Sequence, residues 1–226
     1  MITKSQFERD FEDAQERFPK LRYSWSEELK CWIIAGELDI CDTKGFYWNT
    51  FDIFILVPKA YPYCVPLLIE NSEIIPRDID WHITSKGFCC YDVEHNLTVI
   101  SKKGINLSSF ISEKIYSYFA NQLYKLKENR YAGSEYAHHL EGVIQYYIEQ
   151  HRLTNETSVI NLLTAITTKT GISRNELCPC GSHLKVKNCH QKSIEDIKTL
   201  GQKRIVLDLN SITNHIISAS QQKNNP

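Results

Sequence analysis

One short stretch constrains this chain more than any other: Cys178-Pro179-Cys180-Gly181-Ser182, followed by Cys189-His190. A Cys-x-Cys pair offers two thiolates from one tight turn. Pro179 stiffens that turn and Gly181 lets it close. Cys189 and His190 complete a set of soft and borderline donors, the tetrahedral complement that Zn²⁺ takes. A segment this small cannot bury a core of its own, so a bound metal has to supply its folding energy. The pattern therefore predicts a structural zinc held by Cys178, Cys180, Cys189 and His190. His183 falls inside the loop and is expected to be exposed and not a ligand. Lys185, Lys187 and Lys192 read as a solvated rim.

Around this cluster, 226 residues allow a mid-sized domain and a small appendage. The formal charge of −1 gives no basic or acidic face on which to expect nucleic acid or a membrane surface. No apolar run approaches the ~20 residues of a membrane helix. Met1-Ile2-Thr3-Lys4 leads into a polar helix, so no signal peptide is read and a cytoplasmic location is expected. In a reducing compartment, the eight cysteines point to metal binding or chemistry instead of disulfides.

Periodicity orders the remainder. Phe7, Phe11, Ala14 and Phe18 recur at helical spacing over 3–18, with Thr3 and Gln6 as a capping box and Pro19 as the stop. Between Leu21 and Val57 the period becomes two. Trp32, Ile34, Leu38 and Ile40 alternate with more polar residues, Gly36 marks a bulge, and Cys41–Gly45 has hairpin-turn chemistry. Phe51, Ile53, Ile55 and Val57 share one face while Phe54 and Leu56 take the other, as in a central strand. Cys31, Cys41 and Cys64 belong to packing. Later, Leu107, Phe110, Ile111, Ile115, Phe119 and Leu126 form a helical stripe with Ser108 or Ser109 near its start. Gly133 separates it from a helix that turns Leu140, Val143, Ile144, Tyr147 and Ile148 inward. A further helix over 155–170 carries Val159, Leu162, Leu163 and Ile166, with Gly171 as its stop. The apolar pattern returns from Ile205 to Ile217 before a polar end.

A second constellation lies in Tyr61–Asp92. Two prolines, Pro62 and Pro66, precede the apolar run Leu67–Ile69. A loop then carries His82, Gly87 and the adjacent Cys89 and Cys90. A histidine shortly before Gly-x-x-Cys suggests a thiol presented from irregular chain, and Gly87 can take φ > 0 and admit a second backbone closely. Against this, a lone cysteine is more often part of a core than a catalyst.

Phe51, Ile53, Tyr61-Pro62, Pro66, His82, Gly87, Cys90 and Asp92 together resemble the catalytic domain of ubiquitin-conjugating enzymes, over roughly the first two thirds of the chain. The resemblance implies an α+β fold, an antiparallel meander with flanking helices and the C-terminal zinc knuckle as an appendage. It also implies that Cys90, not Cys89, forms the thioester. Two departures stand out. The family's His-Pro-Asn reads His82-Ile83-Thr84, and the loop to the cysteine is two residues shorter, so the oxyanion-stabilising asparagine is missing. That pattern is similar to divergent bacterial relatives in anti-phage operons. Glu135-Tyr136-Ala137-His138-His139, with Glu141-Gly142, resembles a helix motif of those relatives, but its histidines are assigned no role. The cysteine cluster is similar to the SEC-C motif at Cys178, Cys180, Cys189 and His190.

The expected division is 1–152 for the conjugating domain, 153–172 for a connecting helix, 173–192 for the zinc motif and 193–226 for a helical, flexible tail. The expected activity is cysteine-dependent transfer of a protein C-terminus to an amine. Cys90 is the nucleophile. Thr84, Ser85 or amides near Gly87 serve the oxyanion, and His82 orders the loop or moves a proton. The implied partner is a cGAS/DncV-like nucleotidyltransferase in a CBASS-type defence system, or alternatively a bacterial ubiquitin-like protein. No nucleotide-binding fingerprint is present, so the chain is not expected to adenylate a carboxyl itself, and a separate activating enzyme is an optional further partner. The competing class is a non-catalytic binding module of the same fold with a SEC-C adaptor.

Overall fold

The computed structural model of the protein describes residues 4–133, 137 and 139–223. Its contacts divide the chain into two compact units. One comprises Met1–Asp92 and Ile100–Glu135, the other Val93–Val99 and Tyr136–Pro226. Thr3, most of the Glu135–His139 motif and the end beyond Lys223 lie outside the described residues.

In the first unit, α1 (Gln6–Arg17) begins with a capping box, though not at Thr3 and Gln6. Ser5 accepts from Glu8 N–H and the Glu8 carboxylate accepts from Ser5 N–H, which satisfies two amides that a bare helix start leaves open. Phe7, Phe11 and Ala14 are buried, and Phe18 caps the end beside Pro19.

Four antiparallel strands follow in meander order: β1 (Arg22–Ser26), β2 (Cys31–Cys41), β3 (Tyr47–Pro58) and β4 (Leu67–Glu70). The register pairs Ile34 with Ile55 and Leu38 with Phe51, so the buried side chains of both strands share one face. Each such fully buried residue contributes about 1.5–3 kcal/mol relative to exposure. Phe7 stacks on Trp32 at 4.8 Å between ring centroids, which places α1 on that face. Phe54 and Leu56 on the other face are only partly buried.

Gly36 is not a bulge. It pairs regularly with Ile53, and the register slips instead between Ile40 and Cys41. The glycine is required because a Cβ there would lie 2.4 Å from the Lys20 carbonyl oxygen, at φ +139. The β2–β3 turn is built on Asp42, whose carboxylate accepts from the amides of Lys44 and Phe46.

Two short helices and a π-helical insert close the unit: α3 (Leu107–Phe110), the π segment Ile111–Tyr116 and α4 (Ser117–Glu128). Asn106 caps α3 by accepting from Ser109 N–H, and Ser108 and Ser109 lie in its first turn. Ring stacking of Phe119 on Phe51 at 4.3 Å fixes α4 against the sheet. The π segment lets Tyr116 reach Cys41, where its hydroxyl donates to the carbonyl and accepts from the amide.

Helix α2 (Glu94–Lys103) was not anticipated, and its first part belongs to the second unit. That unit also contains α5 (His139–His151), α6 (Glu156–Thr168), α7 (Gln191–Thr199) and α8 (Gln202–Lys223). Helix α5 falls within the expected 1–152 domain, yet its Ile144 and Tyr147 share a buried cluster with Val159 and Leu162 of α6 and Ile205 and Ile212 of α8. The cluster continues to Cys178, Val186 and Ile197, so the cysteine knuckle and the tail join one core. Among the described residues no helix is long and apolar enough to cross a membrane.

Candidate functional site

The loop after β4 turns through a 3₁₀ helix, Ile79–Trp81, capped by Asp78 and ended by His82 in the left-handed conformation at φ 50. Chain then returns as a minimal hairpin. Thr84 N–H donates to Phe88 O, Gly87 N–H to Thr84 O, and Cys90 N–H to His82 O at 2.7 Å. Ile83 bridges Cys89, so His82 and Cys90 fall opposite each other across the pair.

Alternation along this hairpin separates the two cysteines. Cys89 is 9% exposed, and burial pushes its thiol up to about 12. Cys90 is exposed, although the surrounding protein crowds it enough to raise its thiol as well. Neither is a pre-formed thiolate.

Gly87 sets the hairpin's position. It adopts φ +82, and a Cβ there would meet the Glu70 carbonyl oxygen at 2.6 Å. Glu70 N–H donates to Gly87 O at 2.9 Å, while Arg77 donates to the Glu70 carbonyl and pairs with its buried carboxylate at 2.5 Å. Thr84 serves the turn itself, since its hydroxyl accepts from Phe88 N–H at 3.0 Å. The amides of Gly87, Phe88, Cys89 and Cys90 therefore all have intramolecular acceptors. Any oxyanion formed at Cys90 has to take its hydrogen bond from another donor.

Helix α4 supplies supports that were not anticipated. Tyr118 hydroxyl donates to His82 O at 3.2 Å and Gln122 donates to Trp81 O at 2.9 Å. Lys125 lies over the rings of Trp81 and Tyr131 and donates to Asp80 O. Gln122 was visible in the sequence as a polar residue on the apolar stripe of Ile115 and Phe119. A buried polar residue in such a stripe needs a partner, and here that partner is the loop carbonyl. Behind Cys90, Asp92 pairs with Lys114 of the π segment at 2.6 Å.

In the second unit, a small hairpin links Leu177 with Lys185, and Cys178 N–H donates to Leu184 O at 2.7 Å. Gly181 takes φ +89 to close the Cys-x-Cys turn. A 3₁₀ turn, Val186–Asn188, then delivers Cys189, and His190 begins α7. One donor atom from each of Cys178, Cys180, Cys189 and His190 lies within 4.8 Å of all the others.

The individual separations test the metal directly. Cys180 and Cys189 sulfurs are 3.7 Å apart, and His190 Nδ1 lies 3.4 Å from Cys178 Sγ and 3.0 Å from Cys189 Sγ. A tetrahedral zinc with Zn–S of about 2.3 Å has S–S edges of about 3.8 Å and slightly shorter S–N edges. The 3.7 Å and 3.4 Å separations match those edges and the 3.0 Å one is shorter by about half an ångström, so the donor set suits such an ion with a small adjustment of His190 against Cys189. Burial pushes the Cys178 thiol up to about 12. At Cys180 burial acts in the same sense, but the hydrogen bonds of Ser182 and its fellow cysteines outweigh it and the pKa is lowered. His183, Lys185, Lys187 and Lys192 are exposed.

Comparison with known proteins agrees with this geometry at one place: residues 174–192 match the model of the SEC-C motif. No curated protein and no solved structure matches the chain. The knuckle of Cys178, Cys180, Cys189 and His190 is thus a SEC-C motif whose donors are arranged to bind a metal ion.

Proposed function

We propose that the first unit is a ubiquitin-conjugating-type acyltransferase with Cys90 as its nucleophile, and that the SEC-C knuckle carries a structural zinc. One observation carries the reading of the first unit. Cys90 is exposed at the end of the Gly87 turn, directly opposite His82, while its neighbour Cys89 is buried. The helix–meander–loop–helix order and the residues that resemble conjugating enzymes support it.

The chemistry follows from the state of the thiol. An untuned thiol is a poor attacker of amides but suffices against a carboxyl already activated as an adenylate or thioester. In the loading step the Cys90 sulfur bonds to the activated carbonyl carbon, the adenylate or thiol leaves, and the thiol proton passes to solvent. An amine then attacks the same carbon, the C–S bond breaks, and Cys90 recovers a proton. With the amides of Gly87, Phe88, Cys89 and Cys90 committed to intramolecular acceptors, the Thr84 hydroxyl serves the oxyanion and the His82 side chain moves a proton. His82 also orders the loop through its carbonyl. The partner is a cGAS/DncV-like nucleotidyltransferase or a ubiquitin-like protein, supplied by a separate activating enzyme, in a CBASS-type or related defence system.

The test is a thiol-reversible adduct formed with either partner in the presence of an activating enzyme and ATP. Cys90→Ser should trap an adduct that thiols no longer reverse, and Cys90→Ala should trap none. Failure of every such mixture to load Cys90 returns the unit to a non-catalytic binding role.

A further inference from the structure

Two residues past Cys90 the chain passes into the unit that contains the Cys178, Cys180, Cys189, His190 cluster. Cys90, Tyr91 and Asp92 complete the first unit's loop, and from Val93 to Val99 the chain is part of the second unit. It is anchored there by buried charge. His95 is 2% exposed and its Nε2 lies 2.8 Å from Oδ2 of Asp208, itself 4% exposed. The Tyr147 hydroxyl donates to the same carboxylate oxygen at 2.8 Å, and Arg204 Nε donates to the other at 3.0 Å. Arg204 also reaches Glu94 at 2.9 Å. A buried carboxylate is tolerated only with such a full set of donors, and removal of one leaves the rest of the network under-satisfied.

The same core runs on to the metal cluster. Val93 packs against a buried group that contains Tyr147, Ile205, Ile212, Ile197 and Cys178. The knuckle is too small to hold its own fold, and it contributes Cys178 and Val186 to this core, so an ion bound there would order the part of the core that those residues complete. Asp92 is tied to Lys114 on one side of the crossing, and His95 to Asp208 on the other. The loop bearing Cys90 is thus tethered at its downstream end to whatever state the second unit is in.

We propose that His95 and Asp208 form a latch that positions the chain behind Cys90, and that metal occupancy of the Cys178, Cys180, Cys189, His190 cluster keeps the latch closed. His95 and Asp208 are positioning residues: they act on Cys90 through Val93–Val99. Loss or oxidation of the knuckle then loosens the thiol loop without any change in the first unit's own residues. The metal half of this proposal rests on the zinc reading above, whereas the latch half does not.

The experiment uses the full chain, prepared without chelator and assayed for zinc. Amide hydrogen exchange is followed in peptides covering 93–99. Alkylation of Cys90 by iodoacetamide is followed by mass spectrometry as a function of pH. His95→Phe keeps a ring against Tyr146 but deletes the bond to Asp208. It should raise exchange over 93–99 about tenfold, as expected for a locally released segment. It should also speed Cys90 alkylation about threefold and lower the pH midpoint as the thiol becomes less crowded. Zinc content should not change. His95→Gln, which can donate to Asp208 again, should return both readouts toward the parent, a rescue that general destabilisation would not give. Removing zinc from the parent with a chelator should reproduce both changes. Parent-like exchange and alkylation in His95→Phe overturn the latch. Metal loss that leaves 93–99 and Cys90 unmoved overturns the metal control, as does a chain that carries no zinc, while the His95 variants still decide the latch. Should His95→Phe not fold, Asp208→Asn gives the same readouts.

Discussion

Two adjacent cysteines with opposite environments show how much one residue's register decides. Cys89, pushed up to about 12 by burial, stays protonated at pH 8 and should resist alkylation until the protein unfolds, whereas Cys90 should react in the native state. Peptide mapping after a short iodoacetamide pulse reads the difference directly, and preferential labelling of Cys89 would put the register off by one. Gly87→Ala forces a Cβ against the Glu70 carbonyl at a φ that L residues rarely adopt. It should cost about 2–4 kcal/mol by urea denaturation, the range of combined backbone strain and overpacking. His151 is a third case. It is 6% exposed, its Nε2 has no hydrogen-bond partner among the described residues, and burial lowers its pKa to about 4. The unfolded imidazole takes up its proton near pH 6.5, so between pH 6.5 and 4 the unfolded state binds more protons and stability falls as pH falls. Up to about 3 kcal/mol of the second unit's stability should be lost across that window. His151→Phe should flatten the slope, measured by circular dichroism against denaturant at several pH values.

At the scale of elements, regular burial was legible and irregular geometry was not. Phe7, Phe11 and Ala14 announced α1, and the alternation of Phe51, Ile53, Ile55 and Val57 announced a central strand, because each repeats its period without interruption. Helix α2 escaped notice because His95, a buried residue on its inner face, is polar and finds its partner at Asp208, far along the chain. No local pattern encodes such a pairing. Gly36 looked like a bulge for a related reason: the sequence shows that a side chain is excluded but not that the Lys20 backbone excludes it. In the candidate site, the four cysteine and histidine donors of the knuckle could be named from spacing, and His82 with the pair Cys89-Cys90 from the make-up of the loop, whereas the choice of Cys90 over Cys89 came from the resemblance to a family. The supports Tyr118, Lys125 and Arg77 could not, since they act on backbone carbonyls, which every residue possesses; Gln122 carried a signal only as a polar residue in an apolar stripe. The π segment is similarly invisible, yet it should be measurable. Tyr116→Phe deletes both hydrogen bonds to Cys41 and should cost about 1–2 kcal/mol in urea, with the larger figure if the Cys41 amide finds no water. An unchanged midpoint would mean that water replaces the hydroxyl fully.

For the whole molecule, the division into two units predicts two separable responses. A chelator should unfold the residues around Cys178 and His190 and lower the melting of helices α5 to α8, while the near-ultraviolet signal of Trp25 and Trp32, packed together on the β-sheet, persists. A single concerted loss of both signals would mean that the units do not melt independently. The excursion of Val93–Val99 has another consequence, for the order of events during synthesis. His95 leaves the ribosome long before its partner Asp208, 113 residues later. At elongation rates of about 5–20 residues per second, the histidine waits roughly 6–23 s for that carboxylate. During that interval the sheet can assemble, but the chain behind Cys90 has nowhere to dock. The nascent protein therefore exposes its thiol loop in an unfinished form, which makes this the period in which a chaperone, a protease or an oxidant would find it most open.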